Sequence, residues 1–279
     1  MRCLAVIVLF SACLALIACS VGSAPPQPGT PAFSWNEAKT AFHVGDTQKA
    51  FDNLDNLLRK DNEYTAKAQP WALVVSTGIS HGMLELTDAY KAGVKANPDH
   101  PVSMYRQVND CLRIANSAAL PGADVFRKFI ATNKDPQITL AFEYPPSNPA
   151  EPAGLRVVTK GGVLNSTEAD TLQHTMMQRG VVYAVGYVVG QPDDSTKAEA
   201  LFKTAPVQVP RERFLFGMAQ MLYDEAQLYD KKHIDDPRRV NLFCDEATDA
   251  LKGLPEDKPV KELLFKIRHL QAITPPLTT

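Results

Sequence analysis

The chain has 279 residues, with 29 lysines and arginines against 31 aspartates and glutamates, and a formal net charge of −2 at pH 7. No basic stretch runs along the chain, so charge argues against nucleic-acid binding, which depends on clustered lysine and arginine. The length is enough for one large domain or two small ones.

The N-terminus has the pattern of an export signal. Arg2 and the terminal amine give a short positive end, and Cys3 to Ala18 are apolar apart from Ser11. This apolar run is too short to span a membrane permanently. Residues 1–18 are therefore predicted to be a signal peptide.

The segment Leu16-Ile17-Ala18-Cys19 resembles the lipobox of bacterial lipoproteins. The resemblance implies lipidation at Cys19: the thiol is diacylglycerylated, the signal peptide is cut before it, and the new amine receives a fatty acid such as palmitate. Several acyl chains on one residue form a stable anchor, whereas one chain binds a bilayer only marginally. The alternative is an ordinary cleaved signal peptide in which Cys19 is incidental.

Ser20 to Pro31 contain four prolines, two glycines and no charge. Such a segment is predicted to be an extended spacer that reaches roughly 35 Å from the membrane. Because Ser20 rather than aspartate follows Cys19, the lipoprotein resemblance implies the periplasmic face of the outer membrane in a Gram-negative cell. The inner membrane and the cell surface stay open as alternatives.

Composition and periodicity divide the chain into five segments. These are a signal peptide (1–18), a lipidated cysteine with a proline-rich spacer (19–32), an αα-hairpin repeat region (33–137), a proline-rich linker or β-hairpin (138–164) and a C-terminal helical region (165–273).

From Phe33 onward the dominant pattern is helical, with apolar residues at i, i+3, i+4 and i+7. Ser34 and Glu37 predict a capping box, Asp46 predicts the cap of a second helix, and Pro70 predicts the start of a third. Breaks at His81-Gly82 and Pro121-Gly122 would then give three helix–turn–helix units. Their ends recur 36 and 38 residues apart, at Lys60-Asp61-Asn62, Ala96-Asn97-Pro98 and Lys134-Asp135-Pro136.

Two stretches of this region resemble the tetratricopeptide repeat. Phe42 to Asn62 has the Gly45-Asp46 turn followed by Ala50, Leu54 and Leu57, and Ala89 to Pro101 has Pro98 at the repeat-ending position. The resemblance implies an all-α fold of stacked αα-hairpins. The alternative is an unrelated helical bundle with coincidental spacing.

The middle of the chain has a different pattern. Ile138, Leu140 and Phe142 alternate with more polar residues, and Arg156 to Thr159 are also strand-like, with four prolines between the two stretches. We expect a short β-hairpin insertion or an irregular linker. Helices then resume at a capping box formed by Asn165 and Glu168, and Gly180 to Gly190 are predicted to be a buried helix whose glycines allow close packing.

The sequence predicts no catalytic residue, no cofactor and no metal site. It contains no glycine-rich phosphate loop, no Gly-x-Ser-x-Gly elbow and no His-Glu-x-x-His motif. His81 with Glu85, and Asp170 with His174, are four residues apart on helices, but two ligands do not make a metal site. Both pairs are interpreted as solvated helical pairs.

Two further sets of polar residues are also interpreted as structural. Asp224 and Glu225 are predicted to lie on a solvated helix face. Cys111 and Cys244 occupy apolar helix positions, where they are expected either to form a disulfide or to remain two buried thiols.

A binding surface follows from the tetratricopeptide resemblance, because the first helix of each hairpin lines the concave side in that family. The alignment places there two rows of residues spaced i, i+4, i+8: Trp35, Lys39 and His43, and Tyr105, Asn109 and Arg113. Aromatic, amide and basic groups together suit a peptide or protein segment. The alternative is that Trp35 and Tyr105 are core residues and that the charges only solvate the face.

We therefore expect a non-enzymatic periplasmic scaffold or envelope-complex component. It would contact the membrane through its lipid anchor and an envelope or periplasmic protein as partner, but not nucleic acid. The alternative is a small-ligand-binding accessory lipoprotein of a solute uptake system. An enzyme is disfavoured because no paired carboxylates or activated nucleophile are evident.

The lipidation site gives the first testable prediction. Cys19→Ala removes the thiol that carries the lipid, so the variant should leave the membrane fraction or retain its signal peptide. Mass spectrometry of the wild-type N-terminus should find an acylated Cys19. An unmodified Cys19 in a soluble fraction would show that the lipoprotein interpretation is wrong.

Overall fold

The computed structural model describes residues 25–99, 101–146, 151–204 and 206–275. The predicted signal peptide, Cys19 and the first part of the spacer lie outside the described residues. Within them the chain forms ten α-helices, one short 3-10 helix and one two-stranded sheet, which confirms the predicted all-α class. The elements are α1 (Pro31–His43), α2 (Thr47–Leu58), α3 (Thr65–Ala96), α4 (Pro101–Thr132), β1 (Gln137–Leu140), α5 (Ala153–Thr159), α6 (Ser166–Val189), α7 (Ser195–Leu201), the 3-10 helix (Phe202–Thr204), β2 (Val207–Pro210), α8 (Arg211–Leu228), α9 (Pro237–Leu251) and α10 (Lys258–Ile273).

The first two helices form an αα-hairpin, as predicted, but α1 starts earlier than its sequence pattern indicated. Thr30 caps α1 by accepting a hydrogen bond from the Phe33 amide, so the predicted box at Ser34 lies inside the helix. Pro31 at the first helical position explains the earlier start, since its fixed φ suits a helix and its missing N–H has no helical partner there. Asp46 caps α2 as predicted, through the Lys49 amide.

The predicted division into three helix–turn–helix units is wrong, because α3 and α4 are each continuous over 32 residues and pack against each other as one long hairpin. Helix α3 begins at Thr65 and runs through Pro70 and through His81-Gly82, while α4 runs through Pro121-Gly122. Burial explains the continuity: residues 68–80 of α3 are all buried, so packing on every side outweighs the local helix breakers. The predicted helix ends near residues 60, 96 and 134 nevertheless occur in the structure.

The two-stranded element is present with a different second strand. β1 begins at Gln137, and its residues pair antiparallel with β2, with Ile138 opposite Val209 and Leu140 opposite Val207. The predicted strand at 156–159 belongs to α5, where Leu155 and Val158 are the buried residues. Their spacing of three residues fits a helix with one buried face, whereas buried positions in a one-sided strand alternate.

Helix α6 begins at its predicted cap, and α9 begins at an aspartate cap. Asn165 and Glu168 form the capping box of α6, and Asp236 accepts hydrogen bonds from the first amides of α9. Gly190, with φ +77°, ends α6 in the left-handed region that glycine adopts without strain. The apolar segment 180–190 is therefore mostly helix, as predicted.

Three helices cross in backbone contact at the centre of the fold. A Cβ added to Gly180 of α6 would overlap the carbonyl oxygen of Gly78 in α3, and one added to Gly82 would overlap the carbonyl oxygen of Met176. Helix α8 approaches α6 in the same way, since a Cβ at Gly217 would lie 2.7 Å from the Cα of Val188. Glycine is thus required on all three helices, because any side chain would push them apart.

The two cysteines of the described residues are buried and unpaired. Burial raises the pKa of both thiols to about 12. Cys111 and Cys244 therefore act as small apolar core residues, which decides between the two predicted alternatives. No helix in the described part of the chain is both long enough and apolar enough to cross a membrane.

The glycine crossing gives the second prediction. Gly180→Ala should lower the free energy of unfolding by about 1–3 kcal/mol, because a backbone carbonyl rather than a flexible side chain would have to move. Denaturant unfolding followed by circular dichroism measures the change. The matched control is Gly154→Ala, where the added Cβ meets only leucine side chains at 3.4–3.5 Å. Equal stability of Gly180→Ala and wild type would contradict the role of the crossing.

Candidate functional site

The first predicted row lies along α1, next to the aromatic core. Trp35 is half-buried and packs against Tyr64 and Trp71, with ring centroids 5.4 and 5.3 Å away. Lys39 is exposed, and His43 is exposed with its Nδ1 atom 3.0 Å from the Glu143 carboxylate. Most of the Trp35 ring therefore supports the core.

The second predicted row lies on the outer face of α4. Tyr105 is 53% exposed, Asn109 is exposed, and the exposed Arg113 lies 3.8 Å from Asp110 on the same helix. Val102, one turn before Tyr105, is 82% exposed. Tyr105 borders an open cavity of about 500 Å³ whose other lining residues are Asp88, Lys91, Ala92, Val94, Lys95 and Lys232. We call Tyr105, Asn109, Arg113 and the three lysines of this cavity the tyrosine surface.

Two acidic groups beside this cavity share one histidine. The buried His233 ring lies between two carboxylates, with Nε2 3.0 Å from Asp88 and Nδ1 2.9 Å from Asp230. Burial opposes protonation, but hydrogen bonds to these carboxylates raise the pKa of His233, and the same contact lowers that of Asp88. Lys91 donates to the Lys232 carbonyl oxygen at 2.5 Å, which holds the loop after α8 against α3. Within the described residues, Lys95 and Lys232 form no ion pair, so the cavity has a cationic rim.

A second, smaller cavity lies where α3 crosses α6. Its volume is about 180 Å³, and we call it the charged pocket; it is lined by His81, Glu85, Arg179, Val182, Tyr183, Gln191, Pro192 and Ser195. His81 and Tyr183 stack with ring centroids 3.8 Å apart and planes 7° apart. This short separation depends on the glycines that bring the two helices into backbone contact.

A buried carboxylate lies behind the stacked rings. Asp224 of α8 places Oδ2 3.4 Å from Nδ1 of His81, and its Oδ1 accepts a hydrogen bond from Gln220 at 3.0 Å. Tyr183 donates to the hydroxyl of Tyr187 at 3.2 Å. Burial raises the pKa of Tyr183 well above its usual range, and the nearby Asp224 adds to this shift. The phenol therefore stays protonated at neutral pH.

The prediction that Asp224 and Glu225 form a solvated face is wrong. Asp224 is 9% exposed and Glu225 only 2%, because α8 packs against α3, α6 and α9. Apolar residues occur on every side of α8, and this pattern indicates a helix buried all round. The sequence therefore contained a signal for this burial.

Two of the buried acids are held in their neutral form. Burial raises the pKa of Glu225 well above its ordinary value, and the nearby Ser80 hydroxyl opposes this shift. The Ser80 hydroxyl donates its hydrogen bond to the Ala115 carbonyl oxygen. Burial also raises the pKa of Glu246 to about 8, although its Oε1 lies 3.5 Å from Nε of Arg127. A buried carboxyl without full pairing takes up a proton because the charged form is poorly solvated.

Neither predicted two-residue pair gains further ligands. His81 and Glu85 both line the charged pocket, while Asp170 and His174 are exposed on α6. Within the described residues, no group of three or more histidine, cysteine, aspartate or glutamate side chains could hold a metal ion.

Comparison with known proteins adds no relative. No protein family, no curated protein and no solved structure matches this chain.

Glu246 gives the third prediction. Its folded-state pKa of about 8 exceeds the ordinary 4.5, so the folded chain keeps a proton that the unfolded chain releases between these values. The stability from this group is complete below pH 4.5 and is lost as the pH rises toward 8. Glu246→Gln has nearly the shape of the neutral carboxyl group and cannot ionise. Between pH 5 and pH 8, the free energy of unfolding of this variant should therefore fall by on the order of a few kcal/mol less than that of wild type. Urea unfolding at several pH values measures the difference.

The control for this experiment is Glu262→Gln, which changes an exposed glutamate on α10. It should follow the wild-type pH dependence. If Glu246→Gln follows it as well, Glu246 is ionised in the folded protein and the assigned pKa is wrong.

Proposed function

We propose that this chain is a membrane-anchored interaction module of the bacterial envelope. A lipid on Cys19 would hold it at the periplasmic face of the outer membrane, and the helical body would bind a protein partner without catalysing a reaction. The N-terminal pattern supports the anchor: a positive end, an apolar run and Leu16-Ile17-Ala18-Cys19 occur in the order found in lipoproteins.

The observation that carries the binding role is the exposure of Tyr105 beside a cationic cavity. A half-exposed tyrosine, an 82% exposed valine one turn away and three lysines share one region of the surface. Tyrosine and arginine are enriched among residues that dominate binding energy, since each combines a large contact area with hydrogen-bonding groups.

The charge of the surface indicates the chemistry of the partner. Lys95 and Lys232 have no ion pair within the described residues, whereas the nearby Asp88 is paired with His233. A partner segment with acidic residues around an apolar or aromatic side chain would match this arrangement. Complementary charge would chiefly raise the association rate, while the buried contact with Tyr105 would limit dissociation.

A second candidate function is favoured by a separate observation. The charged pocket carries an imidazole, a guanidinium and a carboxylate around one small cavity. This arrangement supports the role of a small-ligand-binding accessory lipoprotein in a solute uptake system.

The fourth prediction tests the tyrosine surface by site-specific crosslinking. A photo-crosslinking phenylalanine analogue at position 105 should capture a protein partner in intact cells. The same analogue in place of Lys60, an exposed residue after α2 and outside this surface, should not. With the captured partner in hand, Tyr105→Ala should weaken binding by about thirtyfold, since a central aromatic contact contributes about 2 kcal/mol or more. Lys95→Ala should weaken it less and reduce its salt dependence.

Two outcomes would contradict the proposal. Equal affinity of Tyr105→Ala, Arg113→Ala and Lys60→Ala for the partner would remove this surface from the interaction. If non-lipidated Cys19→Ala protein binds anionic vesicles through Lys95 and captures no protein, the surface recognises a membrane instead.

A further inference from the structure

The last helix, α10, has one face in the core and the opposite face in solvent. Its buried residues, which pack toward α9 and α8, are Val260, Leu263, Ile267 and Leu270. Phe265 lies two residues from both Leu263 and Ile267, and two residues turn an α-helix by about 200°. The Phe265 side chain therefore points away from the core, and it is 72% exposed.

Phe265 belongs to an exposed row on this helix. Among the phenylalanines of the described residues, it is the one that is exposed, since the others are buried or half-buried. The exposed His269 ring stacks on it, with ring centroids 6.3 Å apart and planes 10° apart. Ile273, at the end of the helix, is 64% exposed. These three residues are spaced i, i+4 and i+8, so they follow one another along the solvent face.

Helix α10 is basic in a chain that is weakly acidic overall. It carries four lysines and arginines against one acid, Glu262, whereas the formal net charge of the chain is −2. Glu262 is paired with Lys258 at 3.7 Å. The other three cations, Lys261, Lys266 and Arg268, are exposed and make no ion pair in the described part of the chain. The solvent face of α10 therefore carries uncompensated positive charge.

Two of these cations are direct neighbours of the exposed ring. Lys261 precedes Phe265 by four residues and Arg268 follows it by three, and residues at these spacings are adjacent on a helix surface. An acid of the neighbouring helix α9, Asp245, accepts a hydrogen bond from Gln271 at 3.0 Å. The ring thus lies in a cationic surrounding.

An aromatic ring among free cations matches the surface of an anionic bilayer. Helices that lie in the membrane plane carry lysine and arginine together with aromatic or aliphatic side chains that enter the headgroup region. Each lysine or arginine near an anionic surface contributes about fivefold in binding, equivalent to about 1 kcal/mol. A flat bilayer can also contact the whole length of a convex helix face, as the row from Phe265 to Ile273 requires.

We propose that the solvent face of α10 docks on an anionic phospholipid surface as a second membrane contact. Phe265 enters the headgroup region, and Lys261, Lys266 and Arg268 bind lipid phosphates. This inference rests on the proposed lipid anchor, because acyl chains on Cys19 would keep the helical body close to a bilayer. The predicted spacer, with a reach of roughly 35 Å, lets the body turn this face to the membrane. Tethering raises the effective concentration, so a contact that is weak by itself becomes populated.

The test uses the mature lipidated protein reconstituted into vesicles, with tryptophan at position 265 (Phe265→Trp) as the reporter. The vesicles contain phosphatidylcholine alone or an equimolar mixture with phosphatidylglycerol. Their acyl chains are brominated, because bromine quenches tryptophan fluorescence on contact. The emission of wild type, which comes from Trp35 and Trp71, is subtracted. Flotation of the same samples reports the lipid anchor separately.

Position 265 should be quenched in the anionic vesicles, and much less in phosphatidylcholine alone or at high salt, which screens exposed charges. Lys261→Gln combined with Arg268→Gln should lower the contact equilibrium by about 25-fold, at about fivefold for each cation, and remove most of the quenching. The matched control, Lys60→Gln combined with Lys67→Gln, removes the same charge from exposed positions outside α10. It should leave the quenching unchanged.

A second control moves the reporter. Val44, in the turn after α1, is 70% exposed, much like Phe265, so Val44→Trp gives a reporter of similar exposure on another part of the body. Its fluorescence should be quenched far less than that of the reporter at position 265.

Three quenching results would overturn the proposal. These are equal or absent quenching of position 265 in the two kinds of vesicle, equal quenching at position 44, and unchanged quenching in the variant that lacks both Lys261 and Arg268. If position 265 is not quenched and a photo-crosslinking analogue there captures a protein in cells, the face binds a protein instead. Failure of wild type to float with vesicles would overturn the lipid anchor and this inference with it. Flotation without quenching overturns this inference alone, so the two failures are distinguishable.

Discussion

The backbone contact of α3, α6 and α8 is the constraint on which the rest of this structure depends. Gly78, Gly82 and Gly180 let α3 and α6 touch without side chains between them, and Gly217 does the same for α8. Close-packed interiors tolerate little added volume, so these positions fix the distances between the three helices. The stacking of His81 on Tyr183 and the placement of Asp224 behind them are consequences of this contact.

The same contact accounts for the buried acids. Helix α8 packs against α3, α6 and α9, so Asp224 and Glu225 are buried, and Glu246 is buried on α9. Buried carboxyls contribute little to stability, since apolar residues of the same size often stabilise a fold more. Asp224 lies behind the charged pocket, with Oδ2 3.4 Å from Nδ1 of His81, and burial raises the pKa of the neighbouring Glu225.

Both candidate sites share α3. His81 and Glu85 line the charged pocket, and Lys91 and Lys95 follow about two and three turns after Glu85 on the tyrosine surface. At a rise of about 1.5 Å per residue, Glu85 and Lys95 are about 15 Å apart along the helix axis. The two sites nevertheless differ in size and charge. The charged pocket is the smaller and carries groups of both signs, whereas the cavity of the tyrosine surface is larger and has three lysines in its lining.

The sequence by itself determined the all-α class, the caps at Asp46 and Asn165, and the first strand, because each depends on neighbours a few residues away. Tertiary structure decided the continuity of α3 through Pro70 and Gly82, the pairing of β1 with a strand 67 residues after its own end, and the burial of Glu225. These features depend on contacts between segments that are distant in the chain. A Pro or Gly inside a helix weakens it by about 1–3 kcal/mol, and this local effect can be read from the sequence. Packing on all sides of α3 outweighs it, but the residues that pack there come from distant segments, which the local sequence pattern does not identify.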